Sequence, residues 1–121
     1  MNEFQEQLLD HYKNPRNFGK PDWTGDRTAS EENISCGDEI TFYLKISNKI
    51  IEDISFTGRG CSISIGTASL LSEFFKGNKV ELIKKFSEDE IKDLIGFELT
   101  SSRLNCSTLP LRVLKKAIAS I

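Results

Sequence analysis

The chain has little of what usually announces an enzyme. It holds a single histidine, His11, so a Cys–His nucleophile would have one base to draw on, and that base sits in an N-terminal helix where a surface or packing role is the ordinary one. There is no Cys-x-x-Cys pair, which excludes a two-cysteine redox motif. Gly58-x-Gly60 is followed by no Gly-Lys-Ser/Thr, and position 63 is Ile, so neither a P-loop nor a dinucleotide fingerprint is present. Net charge is −2, which gives no bulk attraction to nucleic acid. The Lys84-Lys85 and Lys115-Lys116 pairs read as solvated helix faces. No apolar run is long enough to span a bilayer. Met1-Asn2-Glu3-Phe4 carries no basic stretch ahead of an apolar one, so no secretory signal is expected. Repeats, low-complexity tracts and domain linkers are also missing.

What is there fits one globular domain over residues 1–121: hydrophobic residues are 38% and charged residues 28% of the chain, enough to build a core without staples. The three cysteines are odd in number and far apart. With no export signal, that usage points to a reducing cytoplasm and thiols kept for chemistry.

Along the chain, residues 2–13 predict a helix capped by Asn2, with Phe4, Leu8, Leu9 and Tyr12 as its apolar stripe. Asn14-Pro15 ends it. Residues 16–26 read as a loop, with Trp23 a lid over the core edge. Residues 27–34 suit an edge strand. From 39 to 47 the chain alternates, with Ile40, Phe42, Leu44 and Ile46 on one face, and Ser47-Asn48-Lys49 turns it into a second strand over 50–57. The parity of Glu52 against Ile54 and Phe56 predicts a bulge. A helix is expected over 64–76 with Gly77 at its end, then two short helices over 79–95 divided at Ser87, whose spacing to Glu90 suits a capping box, and ended by Gly96. Residues 97–105 read as a connector. The last helix is expected to start at Thr108 or Ser107, with Pro110 in its first turn and Leu111, Leu114, Ala117, Ile118 and Ile121 as its apolar face. Helix, then strands, then helices argues an α+β fold: a small antiparallel sheet of about three strands, packed by helices mainly on one face.

Within that frame one stretch stands out. Phe56-Thr57-Gly58-Arg59-Gly60-Cys61-Ser62-Ile63-Ser64 reads as strand end, tight glycine turn and helix start. The turn places Cys61 at a helix N-terminus, where the macrodipole favours thiolate; the alternative is a small buried hydrophobe under a β-to-α turn. Ser62 and Ser64 read as helix caps. Cys36 falls just before a strand and Cys106 just before the last helix. The open end of a 39–57 hairpin brings Cys36 near Cys61, and Cys106 joins them if the last helix starts at that end. With Asp38 this makes a Cys₃Asp set of the kind that binds tetrahedral zinc, its thiolates also suiting iron–sulfur clusters. The other reading is three unrelated buried cysteines, and spacing alone leaves both open.

Four segments carry a family resemblance: Asp10-His11-Tyr12-Lys13-Asn14-Pro15-Arg16-Asn17, Cys36-Gly37-Asp38, Phe56-x-Gly58-x-Gly60-Cys61-Ser62-Ile63-Ser64, and Arg103-x-x-Cys106-x-x-Leu109. In this order, across almost the whole chain, they resemble the U-type iron–sulfur cluster assembly scaffolds, the NifU-like N-terminal domain. The resemblance implies an α+β scaffold, not a turnover enzyme, whose Cys36, Asp38, Cys61 and Cys106 hold zinc, iron or a transient 2Fe-2S cluster, with Gly37, Gly58, Gly60 and Arg103 in support. It implies two kinds of partner, a cysteine desulfurase that delivers sulfur as persulfide and apo-proteins that take the cluster. SufU-type relatives are sometimes described as sulfurtransferases, so a zinc-dependent sulfurtransferase partner of a desulfurase is the alternative the resemblance allows. A purely structural zinc-binding interaction domain is the competing class.

Two branches of the family pull differently. Asn105 stands where the IscU-type branch has a histidine, and Glu98-Leu99-Thr100-Ser101-Ser102 stands near its chaperone-read segment, so the resemblance lends no support here to the histidine ligand or the chaperone interaction. Gly-x-Gly-Cys-Ser-Ile-Ser and Arg-x-x-Cys match the SufU-type branch, but residues 62 to 105 leave no room for the insertion usual there. The resemblance also frames the sulfur acceptor, the first cysteine in SufU-like members and the third in IscU-like ones. Cys36, in a Gly-flanked turn free to swing outward, is favoured, and Cys106, at a helix start with Arg103 nearby, is the runner-up.

Overall fold

The computed structural model describes residues 3–23, 27–33, 37–95 and 101–119, the side chains of 101–103 excepted. The expected Asn2 cap, the end of the first strand at Ile34, Cys36, the Gly96 stop, Ile121 and the Arg103 side chain lie outside them.

Eight elements follow one another: α1 (Glu3–Lys13), β1 (Arg27–Asn33), β2 (Asp38–Ser47), β3 (Ile50–Arg59), α2 (Ser62–Phe75), α3 (Val80–Lys85), α4 (Glu88–Ile95) and α5 (Ser101–Ala117). The strands form one antiparallel sheet in the order β1-β2-β3. Period-two alternation sets its inner face: Ile40, Phe42 and Leu44 on β2 are fully buried, as are Ile54 and Phe56 on β3, while Glu39, Thr41, Tyr43 and Lys45 are half-exposed. The hairpin closes on Asn48 and Lys49, both with positive φ (52° and 64°), as a two-residue turn that matches the strand twist requires. The bulge falls where parity predicts it: Lys45 pairs with Asp53 and Ile46 with Ile51, leaving Glu52 over.

Helices α2 and α5 cover the inner face. Arg112 of α5 reaches Glu31 at 3.4 Å, and Glu31 pairs with Ile40, which fixes α5 on that side. α2 is buried from Ile63 to Ser72 and is the central helix, with α1 against it. Gly66 permits that contact: a Cβ there would lie 2.7 Å from Leu8 Cδ1 and 2.8 Å from Leu8 O. The stripe expected on α1 is narrower in the fold, since Leu8 and His11 face α2 while Phe4 and Tyr12 remain exposed. The free edge of β3 is closed by two loops. Phe56 N–H donates to Asn17 O and Gly19 N–H to Phe56 O; further along, Ile51 N–H donates to Asn78 O and Gly77 N–H to Ile51 O. Gly77, at φ +84°, is the left-handed residue that stops α2. Ser87 caps α4 as its spacing predicts, accepting from Glu90 N–H at 3.2 Å.

The C-terminal third corrects the sequence reading. The connector expected over 97–105 is already helical from Ser101. Ser107 and Thr108 are not caps: each hydroxyl donates back to a carbonyl three residues earlier, Leu104 O at 2.7 Å and Asn105 O at 3.3 Å. Pro110 lies inside α5, where it has no N–H to give and crowds the carbonyl of residue 106. The helix continues because its middle is enclosed on every side: residues 106 to 111 are all buried, and packing, not propensity, supplies most helical stability. That same enclosure erases the polar–apolar period by which an amphipathic helix is recognised. α2 also starts earlier than expected, at Ser62.

Candidate metal centre

Three of the four sequence-selected ligands can be placed, and they converge. The carboxylate of Asp38 and the Sγ atoms of Cys61 and Cys106 all lie within 4.8 Å of one another. Each comes from a different element. Asp38 opens β2 and belongs to the row that continues through Ile40, Phe42 and Leu44, so the pleat that builds the core also turns this carboxylate inward, to 3% exposure. Cys61 is the N-cap of α2, with extended backbone (φ −80°, ψ 174°). Cys106 is held by α5, at 4% exposure.

The last position overturns the argument for Cys106 as a helix-start thiol. It lies in the second turn of α5, whereas the macrodipole acts on the first turn. Of the two, Cys61 alone sits at a helix N-terminus.

The glycines divide into separate jobs. Gly58 is not in the turn but in β3, opposite Ile40; at φ +158° a Cβ would run into Glu39 O and lie 3.1 Å from Ile40 Cδ1. Gly60 leaves room for the ligand itself, since a Cβ there would meet Ser64 Oγ and lie 2.8 Å from Asp38 Oδ1. Gly37 meets nothing within 4 Å but has φ +75°, so its requirement is conformational. It sets β2 off from β1, with its N–H donating to Asn33 O at 2.8 Å.

Asp38 is tied to Cys61 twice. Cys61 N–H donates to Oδ1 at 3.3 Å and the thiol to Oδ2 at 3.6 Å. Ser64 completes the corner: its hydroxyl donates to Cys61 O at 3.2 Å and lies 3.8 Å from Cys61 Sγ. Read from sequence as a cap, Ser64 is instead fully buried beside the cysteine. Two thiols and a carboxylate would repel one another as anions in a buried place, and a divalent cation removes both the repulsion and the desolvation cost. The donor set fits zinc. Tetrahedral zinc with bonds of 2.0–2.3 Å holds its donor atoms about 3.3–3.8 Å apart, within a small side-chain rotation of the spacing here.

A second polar cluster lies further along α2. His11 is buried at 3% exposure and bonds Ser69 Oγ through Nδ1 at 2.7 Å, while Nε2 faces Glu73 at 3.5 Å. Ser69 Oγ also accepts Arg16 N–H at 2.8 Å, and Ser72 Oγ accepts from Asn17 Nδ2 at 3.0 Å. Burial lowers the His11 pKa from its ordinary value, with the Arg16 cation adding to the effect and Glu73 and Asp10 opposing it. His11 is therefore the packing residue its position suggested. Asp10, salt-bridged to Arg16 at 2.6 Å, is held below the usual carboxylate range by that hydrogen bond.

Comparison with known proteins shows what the chain is similar to. A family model described as NifU-like N terminal domain matches residues 3–121. The iron-sulfur cluster assembly scaffold protein IscU 1 of Archaeoglobus fulgidus is 35% identical over 115 residues, covering 95% of this chain and 74% of its own. The zinc-dependent sulfurtransferase SufU of Bacillus subtilis is 32% identical over 133 residues, covering 96% of this chain and 89% of its own. A crystal structure from Fervidobacterium islandicum AW-1, described as an iron-sulfur cluster assembly scaffold protein for the SUF system, superposes with a TM-score of 0.79 at 26% identity, covering 97% and 95% of the two chains.

Proposed function

The chain belongs to the NifU-like N-terminal domain family, and on that footing we propose that it is an iron–sulfur assembly scaffold. It takes sulfur from a cysteine desulfurase and binds zinc, iron or a 2Fe-2S cluster through Cys36, Asp38, Cys61 and Cys106, for delivery to apo-proteins. The observation that supports this is the approach of Asp38, Cys61 and Cys106 to within 4.8 Å from three separate elements. Cys36 is two residues before Asp38, a separation the chain spans in at most about 7 Å, so it can supply the fourth donor. Zinc bound there would hold the thiolates ready and, as a Lewis acid, lower their charge. The carboxylate is the harder and more exchangeable of the four donors, which suits a site that must release its cargo. The three widely spaced thiols suit reducing surroundings such as the cytoplasm.

Sulfur arrives on Cys36 in this reading. Its thiolate attacks the outer sulfur of the desulfurase persulfide, the sulfur–sulfur bond there breaks, and the desulfurase cysteine leaves as thiolate. Cys106 is a poorer acceptor, being buried within a helix and beyond the reach of the helix-terminal field. A second reading, supported by the name of the Bacillus subtilis relative, is a zinc-dependent sulfurtransferase that hands persulfide sulfur onward without building a cluster.

One preparation separates these readings. The protein is incubated anaerobically with a desulfurase, cysteine, ferrous iron and a thiol reductant. The visible spectrum should gain the sulfur-to-iron absorption of a 2Fe-2S cluster, and Cys61→Ala should lose it. No cluster in wild type, with persulfide on Cys36 in a sample prepared without the reductant, would favour the sulfurtransferase. Mass spectrometry after a single desulfurase turnover locates the sulfur: persulfide on Cys106, undiminished in Cys36→Ser, would overturn the choice of acceptor.

A further inference from the structure

Ser64 has more to do than end a helix. Its side chain is fully buried, so its one hydroxyl proton must be spent inside the protein. Among the described residues two acceptors are in range: Cys61 O at 3.2 Å and Cys61 Sγ at 3.8 Å. Serving the carbonyl is the ordinary habit of a serine in a first helical turn. Serving the sulfur is not, and it depends on two features of this chain. Cys61 is the N-cap residue with extended backbone, which sets its sulfur beside the first turn of α2. Gly60 lacks the Cβ that would otherwise collide with Ser64 Oγ, so the hydroxyl keeps its place between the sulfur and the carbonyl.

The two acceptors suit two states of the site. Without metal, Cys61 Sγ lies 3.6 Å from Asp38 Oδ2, and the Ser64 hydroxyl serves Cys61 O at 3.2 Å. With metal bound, the sulfur would be held as thiolate, the stronger, charged acceptor. The Ser64 proton can then turn to it by rotation about one C–O bond, with little movement of any heavy atom. Resting on the metal-site reading above, we propose that Ser64 is a positioning residue for the centre: it donates a hydrogen bond to the metal-bound Cys61 sulfur, fixes that ligand's orientation and draws off part of its charge. Hydrogen bonds of this outer kind are commonly worth 10–100-fold in metal affinity.

The test uses cobalt(II) in place of zinc, because its thiolate charge-transfer bands report directly on the sulfur. Wild type, Ser64→Ala and Ser64→Thr are loaded with cobalt, their spectra recorded, and metal loss to a competing chelator timed. Ser64→Ala should shed metal on the order of 10–100-fold faster, with its sulfur-to-cobalt bands moved to longer wavelength as the sulfur regains charge. Ser64→Thr, which keeps the hydroxyl, should recover the wild-type band position even if the added methyl costs some stability. An alanine variant that matches wild type in both band and rate overturns the proposal. One that loses metal faster with its bands unmoved also overturns it, and makes Ser64 a packing residue. Failure of the wild-type protein to bind cobalt would instead bring down the metal-site reading on which this rests.

Discussion

Two buried polar clusters lie along α2, and they are built on opposite plans. The one around His11, Ser69 and Ser72 pairs donors with acceptors: Ser69 Oγ takes Arg16 N–H and bonds His11 Nδ1, and Ser72 Oγ takes the Asn17 amide. It closes on itself and holds the 14–19 segment and α1 against the central helix. The one around Asp38, Cys61 and Cys106 brings together three groups that are all anions once deprotonated. No arrangement of hydrogen bonds among them makes the charged form comfortable, and a cation does. A self-satisfied cluster stabilises a fold; a cluster of like-charged donors is set up for a ligand from outside.

The difference can be broken from either side. The largest effect should come from Gly60→Ala. Its Cβ would press on Asp38 Oδ1 from 2.8 Å and on Ser64, displacing one donor while leaving every cysteine in place. Zinc affinity, measured by competition with a chromophoric chelator, should fall on the order of 10–100-fold, with thermal stability of the metal-free protein changed far less. Unaltered affinity would mean the carboxylate is not held where the metal needs it.

Ser69→Ala makes the reciprocal cut. It strips a buried hydroxyl from both Arg16 N–H and His11, and leaving such partners unsatisfied costs about 1–3 kcal/mol. The metal-free midpoint of thermal unfolding should drop by several degrees, while zinc affinity stays at the wild-type value. A loss of zinc affinity as large as that of Gly60→Ala would show that the two clusters are coupled through α2.

The smallest effect is on pH dependence. The folded-state pKa of His11 lies below its ordinary value of 6.5, so the unfolded chain binds the extra proton first. The contribution of His11 is present in full above that ordinary value and is lost as pH falls through the lower, folded one. Unfolding free energy of the metal-free protein should therefore rise with pH across the acid side of 6.5, by at most about 1.4 kcal/mol per unit. His11→Gln should flatten that slope, and an unchanged slope would assign it to other groups.

Much of this was legible along the chain. Alternation of side chains named the sheet rows, and the odd parity of Glu52 located the bulge, because both follow from local backbone geometry. Asp38 was marked by chemistry and could also have been marked by parity, since it stands in one row with Ile40, Phe42 and Leu44. Glycine at 60 and cysteine at 61 announced the strand-to-helix corner. Ser64 could not be assigned beyond capping, because its nearness to Cys61 Sγ depends on how the helix leaves the N-cap.

The C-terminal helix was the least legible element. Residues 101 to 110 carry Ser, Asn, Thr and Pro, which locally argue for a loop and a late cap. They are helical because α2, β1 and β2 enclose them, and that information lies in contacts distant in sequence. The residue types thus determined by themselves what the site could bind: thiols and a carboxylate, suited to a soft or borderline metal. Their convergence was decided by tertiary structure alone, since Asp38, Cys61 and Cys106 ride on three elements whose relative placement is set by the buried faces of β2, α2 and α5.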